Sequence, residues 1–191
     1  MFVRDYLTLD DVVLTGKRVL LRADLNVPVK GGKITDLTRL ERLKPTLSYL
    51  HKHGATIILL SHFGRPDGKP MPEYSLQPVA AELSKILNYP VNFIADCCGP
   101  IARNGVDDLA AGAVAVLENT RFYAGEEAND PKFAADLAVL GDVVVMDAFS
   151  AAHRAHASTA GLLELLPAVA GRLMQAELEA LAKALEMPQR P

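Results

Sequence analysis

The chain has 191 residues, half of them hydrophobic and 23% charged, which suits one full α/β domain of ordinary globular make-up. A formal net charge of -3, with no basic stretch interleaved with aromatics, argues against nucleic acid or an anionic membrane as partner. No apolar run approaches the ~20 residues that span a bilayer.

In chain order, residues 1–17 read as a lead-in ending in the polar turn Thr15-Gly16-Lys17. The early acid in Met1-Phe2-Val3-Arg4-Asp5 and the lack of a sustained apolar core predict no signal peptide. Val19 to Leu21 predicts a first strand that opens into Arg22, Asp24 and Asn26 and stops at Val27-Pro28. After a tight turn at Gly31-Gly32, Thr35 or Asp36 caps a helix to about His53, with leucines at 37, 40, 43, 47 and 50. Pro45 should kink that helix, and Gly54 should end it in the left-handed conformation. Ala55 to Leu60 predicts a second strand, apolar enough to be buried on both faces as in a parallel sheet. A proline-rich linker follows, then a helix from Ser75 to about Asn88 and a third strand over Val91 to Ile94. Cys97 and Cys98 fall in the next loop. They are the only cysteines, and adjacent; a secreted disulfide framework needs spaced pairs, so a cytoplasmic protein with two semi-buried thiols is expected. A short helix over Ile101 to Leu109 and a fourth strand over Ala113 to Leu117 come next. Asp130-Pro131 starts a helix to about Leu140, and Asp142 to Met146 gives a fifth strand. Ser158 is expected to cap a short helix, and Gly171 to Glu186 to form a last amphipathic helix with Leu173, Leu178, Leu181 and Leu185 on one side. Met187 to Pro191 reads as a linker. Strands alternating with helices predict a three-layer, doubly wound, Rossmann-like parallel sheet.

Four predicted strand ends open into loops that carry basic residues: Arg22 to Asn26, Ser61-His62-Phe63-Gly64-Arg65-Pro66, Glu118 to Arg121, and Asp147 to His156. Open α/β sheets bind ligands at the carboxyl ends of their strands. Arginine presents a planar fork of donors that matches phosphate or carboxylate and keeps its charge. Arg22, Arg65, Arg121 and Arg154 therefore point to a small anionic ligand, and His62, His153 and His156 can add donors. Arg39 falls in the first turn of a helix, where free N–H groups also favour an anion. Asp24 and Asn26 suit a substrate hydroxyl. Taken singly, each has a plainer reading: a loop arginine is most often a solvated surface residue, and Asp24 or Asp147 a turn or cap residue. Walker and G-x-G-x-x-G loops are absent, and no His/Cys/Asp spacing suits a structural metal. The arginine between His153 and His156 would repel a cation there.

Four stretches carry a resemblance: Leu21-Arg22-Ala23-Asp24-Leu25-Asn26-Val27-Pro28, Ser61 to Pro66, Leu117-Glu118-Asn119-Thr120-Arg121-Phe122, and Asp147-Ala148-Phe149 followed by Ala152-His153-Arg154-Ala155-His156-Ala157-Ser158. From about residue 5 onward the chain resembles the N-terminal domain of the phosphoglycerate kinase family. The resemblance implies reversible phosphoryl transfer between 1,3-bisphosphoglycerate with ADP and 3-phosphoglycerate with ATP, using magnesium. It implies that Arg65, Arg121 and Arg154 grip the non-transferred phosphate. Asp24, Asn26 and His62 would orient the hydroxyl and carboxyl end, and Arg39 would act at the carboxylate that accepts phosphate. Leu25, Phe63 and Gly64 of the same motifs count as substrate-binding.

Two positions depart from the family pattern: Ser150 stands where glycine is usual and Met146 where asparagine is usual. A left-handed backbone at position 150 would strain a serine by about 1–2 kcal/mol and disturb the Arg154 loop. The family's chains are about twice this long. Residues 1–170 are thus expected to be the phosphoglycerate-binding domain and residues 171–191 the interdomain helix and start of a hinge. The C-terminal nucleotide domain, which would bind Mg-ATP or Mg-ADP, is not in this sequence. The chain alone is expected to bind 3-phosphoglycerate weakly, hold no nucleotide, lack turnover and expose apolar surface on the last helix. The alternative is a non-catalytic domain that binds another phosphorylated metabolite.

Overall fold

The structure is a computed structural model in which residues 5–186 are described. Its elements in chain order are β1 (Arg18–Arg22), β2 (Val29–Lys30), β3 (Lys33–Ile34), α1 (Thr38–Arg42), α2 (Lys44–Lys52), β4 (Thr56–Leu60), α3 (Gln77–Leu87), β5 (Val91–Ile94), α4 (Gly99–Asp107) and β6 (Val114–Leu117). They continue with α5 (Ala124–Glu127), α6 (Pro131–Ala138), β7 (Val143–Met146), α7 (Phe149–Ala152), α8 (Leu162–Leu165), β8 (Ala168–Ala170) and α9 (Arg172–Glu186).

Six strands form one parallel sheet in the order β5-β6-β4-β1-β7-β8. The chain first winds to one side of β1 and then crosses to the other at β7, so β1 and β7 flank the topological switch point. Alternate strand residues feed two cores. Leu21, Ile57, Leu59, Val116 and Val145 pack with Leu40, Leu47, Leu50, Val79 and Leu83. Leu20, Ile58, Leu60, Leu117 and Val144 pack against Val106, Phe133, Leu137 and Leu162 on the opposite face. Both faces are covered, which is why β4 is buried along its whole length and why the strands read as unbroken apolar runs. The doubly wound three-layer expectation is met.

Register sets the level of the loops. Arg22 pairs with Leu60 on one side and Met146 on the other, Ile94 pairs with Leu117, and Met146 with Ala170. Backbone bonds carry the ladder one step further: Ala23 donates to Leu60, Thr120 to Ser61, Asp147 to Arg22 and Gly171 to Met146. The segments after β1, β4, β6, β7 and β8 therefore leave the sheet side by side.

Local chemistry explains most element ends. Neither Thr35 nor Asp36 stands at the N-cap of α1, which is Leu37; Asp36 just before it still supplies an acceptor, its Oδ1 taking the Thr38 N–H at 2.8 Å. Pro45 does more than kink the predicted helix: the chain breaks at Leu43 into α1 and α2, with the proline in the first turn of the second. Gly54 adopts φ +72° as expected. Asp130 caps α6 by accepting from Phe133 N–H, with Pro131 at the first position. Four readings change. A sixth strand, β8, sits at one edge, and β2 and β3 make a two-residue hairpin around Gly31-Gly32. Helix α7 forms inside the segment expected to be a loop after β7. Ser158 does not cap a helix; it lies inside a single π turn, Ala157–Gly161, with its hydroxyl engaged below the site.

Leu178 of α9 packs near Met146 and Met174, while Leu181 and Leu185 are exposed, as the sequence predicts for part of this helix. The predicted linker from Met187 and the first four residues lie outside the described residues. Among the described residues no helix is long and apolar enough to cross a membrane.

Candidate functional site

The loops at the carboxyl edge are stitched together by buried polar side chains. Ser61 Oγ accepts from Leu25 N–H and donates to the His62 carbonyl. Asn26 Oδ1 accepts from Gly64 N–H at 3.0 Å, tying the β1 loop to the β4 loop. Asn119 is fully buried; its Oδ1 accepts from Phe63 and Arg121 N–H, and its Nδ2 donates to the Phe63 and Tyr74 carbonyls. Four bonds from one amide leave it fully satisfied and lock the β4 loop to the β6 loop. Gly64 needs its special backbone: φ is +61°, and a Cβ there would stand 2.2 Å from the Tyr74 ring.

On this frame the basic residues gather. Arg121 Nη1 donates to the Gly64 carbonyl at 2.8 Å and its Nη2 pairs with Glu127 at 2.9 Å. Burial lowers the Arg121 pKa, as do the neighbouring charges of Arg154 and Arg65, against the pull of Glu127 and Glu126. Those two arginines thus share a local field with Arg121. Arg65 is exposed, and Arg154 is half-buried with its Nε 3.4 Å from His153 Nε2. His156, half-buried, has its pKa lowered first by burial and also by Arg121 and Arg154. His153 is exposed beside Arg154.

A second group forms at the switch point. Asp24 Oδ2 accepts from Arg39 Nη1 and from Ser150 Oγ, both at 2.6 Å, while Oδ1 accepts from Asn26 N–H. Burial pushes the Asp24 pKa up, but hydrogen bonds from Ser150 and Asn26 and the Arg39 charge outweigh it and hold the group below its ordinary value. A cleft of 210 Å³ opens beside this pair, lined by Asp24, Arg39, Arg42, Asp147, Phe149 and Ser150 among others. Ser150 lies in α7 and is not among the described residues with positive φ, so the expected strain is absent and its hydroxyl instead steadies Asp24. Asp147, fully buried, accepts from Met174 N–H at 3.0 Å and so caps α9. A Cβ on Gly171 would fall 2.3 Å from its Oδ1, so only glycine fits there.

Arg22 is not part of an exposed basic patch. It is the last residue of β1 and only 1% exposed. Its Nε donates to Ser158 Oγ at 2.8 Å, Nη1 to the Ala23 carbonyl, and Nη2 lies 3.1 Å from His62 Nδ1. Ser158 passes the interaction on: its hydroxyl and N–H both donate to Glu126, which is also fully buried. Burial lowers the Arg22 pKa while Glu126 and Asp24 raise it again. Leu25 and Phe63 likewise turn their side chains into the core and commit their N–H groups internally. Sequence reading missed Glu126 because Gly125-Glu126-Glu127 looks like a solvated acidic turn. A polar residue at a strand end, as at Asn119 or Ser61, was the one available signal for the stitching.

His62 sits over Arg22, and burial together with the charges of Arg22 and Arg121 lowers its pKa to about 3. Arg22 can only donate, so Nδ1 accepts and the proton resides on Nε2. The unfolded chain takes up this proton near pH 6.5 and the folded chain only near 3. Stability should therefore fall as pH drops through that window, at a limiting slope of about 1.4 kcal/mol per unit. Denaturant unfolding of His62→Gln between pH 6.5 and 5 should show that slope flattened, and an unchanged slope would place the proton uptake elsewhere.

The family model for phosphoglycerate kinase matches residues 9–191. A phosphoglycerate kinase of a Chelativorans strain is 58% identical over 185 residues, covering 96% of this chain and 46% of its own length. One of Methylorubrum extorquens is 59% identical over 188 residues, covering 98% and 47%. Among solved structures, phosphoglycerate kinase from Pyrococcus horikoshii superposes with a TM-score of 0.89 at 36% identity, over 97% of this chain and 47% of that one. The Coxiella burnetii enzyme gives 0.86 at 44% identity, over 97% and 46%. The chain spans about half the length of these relatives. Matched in sequence from Leu9 onward and in fold across the whole sheet, the chain belongs to the phosphoglycerate kinase family.

Proposed function

We propose that this chain is the glycerate-binding half of a phosphoglycerate kinase, with residues 1–170 forming the binding domain and 171–191 leading to the nucleotide half. The observation that carries this reading is that the loops after β4, β6 and β7 bring Arg65, Arg121 and Arg154 into one field at the sheet edge where Asp24 pairs with Arg39. One end suits a phosphate ester and the other a carboxylate, the two charged ends of 3-phosphoglycerate. His62, neutral and with Nε2–H as a donor, suits a hydroxyl or carboxyl oxygen between them, and Asn26 Nδ2 can serve the same purpose.

In the forward sense the terminal phosphoryl group of ATP moves to the C1 carboxylate of 3-phosphoglycerate, giving an acyl phosphate and ADP. Mg-ATP or Mg-ADP would be held by the nucleotide half rather than by the basic edge of this chain. Such transfers rest on positioning and on stabilising charge as it develops. Arg39, half-exposed at the cleft and paired with Asp24, is the residue assigned to that role. Asp24 and Ser150 set its starting position. Leu25, Phe63 and Gly64 act through the backbone that aims Arg121 and Asn26. Exposed Leu181 and Leu185 on α9 suit contact with the nucleotide half. A coupled ATP assay should show negligible turnover of the chain alone and recovery when the nucleotide half of a relative is added. Binding of 3-phosphoglycerate without recovery would favour the non-catalytic metabolite-binding alternative.

A further inference from the structure

A cluster of ligating atoms lies beyond β5, at the same carboxyl edge of the sheet but outside the residues assigned to the anion site. Beyond β5 the chain turns through Asp96, Cys97 and Cys98 into the first turn of α4. The carboxylate oxygen of Asp96 and the sulfurs of both cysteines lie within 4.8 Å of one another. Asp96 is held in place: its Oδ1 accepts from Cys97 N–H at 2.7 Å, from Cys98 N–H at 3.4 Å and from the Tyr123 hydroxyl at 2.8 Å. No hydrogen bond among the described residues uses Oδ2. Two sulfurs and one oriented carboxylate are thus gathered by a strand end, a helix start and a tyrosine from a third segment.

The chemistry of this set is selective. Thiolates favour soft and borderline cations over magnesium or calcium, and two sulfurs with one oxygen leave a fourth tetrahedral position open. A tetrahedral ion at ordinary Zn–S distances needs its sulfurs about 3.8 Å apart. The present spread requires at most about an ångström of side-chain adjustment from that value. Cys97 is fully buried and Cys98 is 7% exposed, so an ion would enter past half-buried Asp96. Adjacent cysteines on an unstructured chain would also bind such an ion; what the fold adds is the carboxylate, fixed by Tyr123 and two N–H groups. Hydrogen bonds that orient a ligating group in this way typically change affinity about 10- to 100-fold.

We propose that Asp96, Cys97 and Cys98 form a site for a thiophilic divalent cation of the zinc group. Each sulfur binds as thiolate, so association expels the thiol protons to solvent and forms two metal–sulfur bonds. Its ligands are none of the residues assigned to the anion site, so cation binding is read without any phosphoryl-transfer assay.

Cadmium(II) is the probe, added to the chain under a non-thiol reductant and followed by its thiolate charge-transfer band. The expected result is one cadmium per chain, displaceable by zinc. Cys97→Ala with Cys98→Ala abolishes the band, since the chain has no other cysteine. Asp96→Asn, a half-exposed change that leaves both sulfurs, weakens binding about 10- to 100-fold. Because the folded site binds about 10- to 100-fold better than the unfolded chain, cadmium at about 100 times its Kd raises the melting temperature by about 3–9 °C. Absence of the band at stoichiometric cadmium overturns the proposal. So does an unchanged melting temperature, or an Asp96→Asn variant that binds as tightly as the parent.

Discussion

Replacing Glu126 with alanine should lower the unfolding free energy by about 3–5 kcal/mol and the melting temperature by about 6–20 °C. The reason lies beneath the basic edge. Glu126 is fully buried and accepts both the hydroxyl and the N–H of Ser158, whose oxygen in turn accepts from buried Arg22. Arg22 has no water to turn to, and the other charges it feels most strongly among cations, Arg121 and Arg154, work against it. Removing the carboxylate takes away the anion that Arg22 feels most strongly and leaves the buried guanidinium only the weaker pull of Asp24; a buried charge stripped of its main partner is among the most damaging single changes. Glu126→Gln keeps the shape and one acceptor and should lose less. A double variant, Arg22→Met with Glu126→Gln, should lose less than the two single losses combined, because the charge that needed neutralising is gone. Thermal melts decide the matter: a Glu126→Ala chain that melts within about 2 °C of the parent would show that Arg22 is neutralised by some other group.

The second large effect separates two arginines that look alike in sequence. Arg65→Ala should weaken 3-phosphoglycerate binding about 10- to 100-fold with little change in melting temperature. Arg65 is exposed and makes no side-chain hydrogen bond or ion pair among the described residues, so its donors are free for an anion. Arg121 is 6% exposed and holds the Gly64 carbonyl and Glu127. Arg121→Ala should therefore weaken binding at least as much and also destabilise the fold, since it removes one tie on the β4 loop and leaves the Gly64 carbonyl without its donor. Calorimetric titration of both variants beside their melts reads the two quantities separately. Equal destabilisation by the two changes would mean that Arg65 is part of the scaffold too.

The fold was largely legible because the central strands β1, β4, β6 and β7 are apolar runs, and α2 and α3 carry apolar residues at helical spacing. What escaped is short or decided by partners. Ala168-Val169-Ala170, between Pro167 and Gly171, carries no strand pattern of its own and becomes β8 by pairing with β7. The helix after Asp36 was seen as one because its leucines keep their period across Pro45, while the backbone breaks at Leu43. At the site, residue types at strand ends were enough to nominate Asp24, Asn26, His62, Arg65, Arg121 and Arg154. They were not enough to separate Arg22 from the rest. Nothing local in Leu21-Arg22-Ala23 says that Ser158 and Glu126, more than a hundred residues away, will close over the guanidinium. The same holds for Ser150, whose bond to Asp24 depends on α7 turning back over the β1 loop.

The most direct measurement is an NMR titration of the chain with 3-phosphoglycerate, following backbone amides. Shifts should concentrate at Asp24 to Asn26, His62 to Arg65, Thr120 to Arg121 and Ser150 to His156, with one dissociation constant for all four segments. Absence of shifts at millimolar ligand, or shifts that fit separate constants in separate segments, would contradict a single anion site at this edge of the sheet.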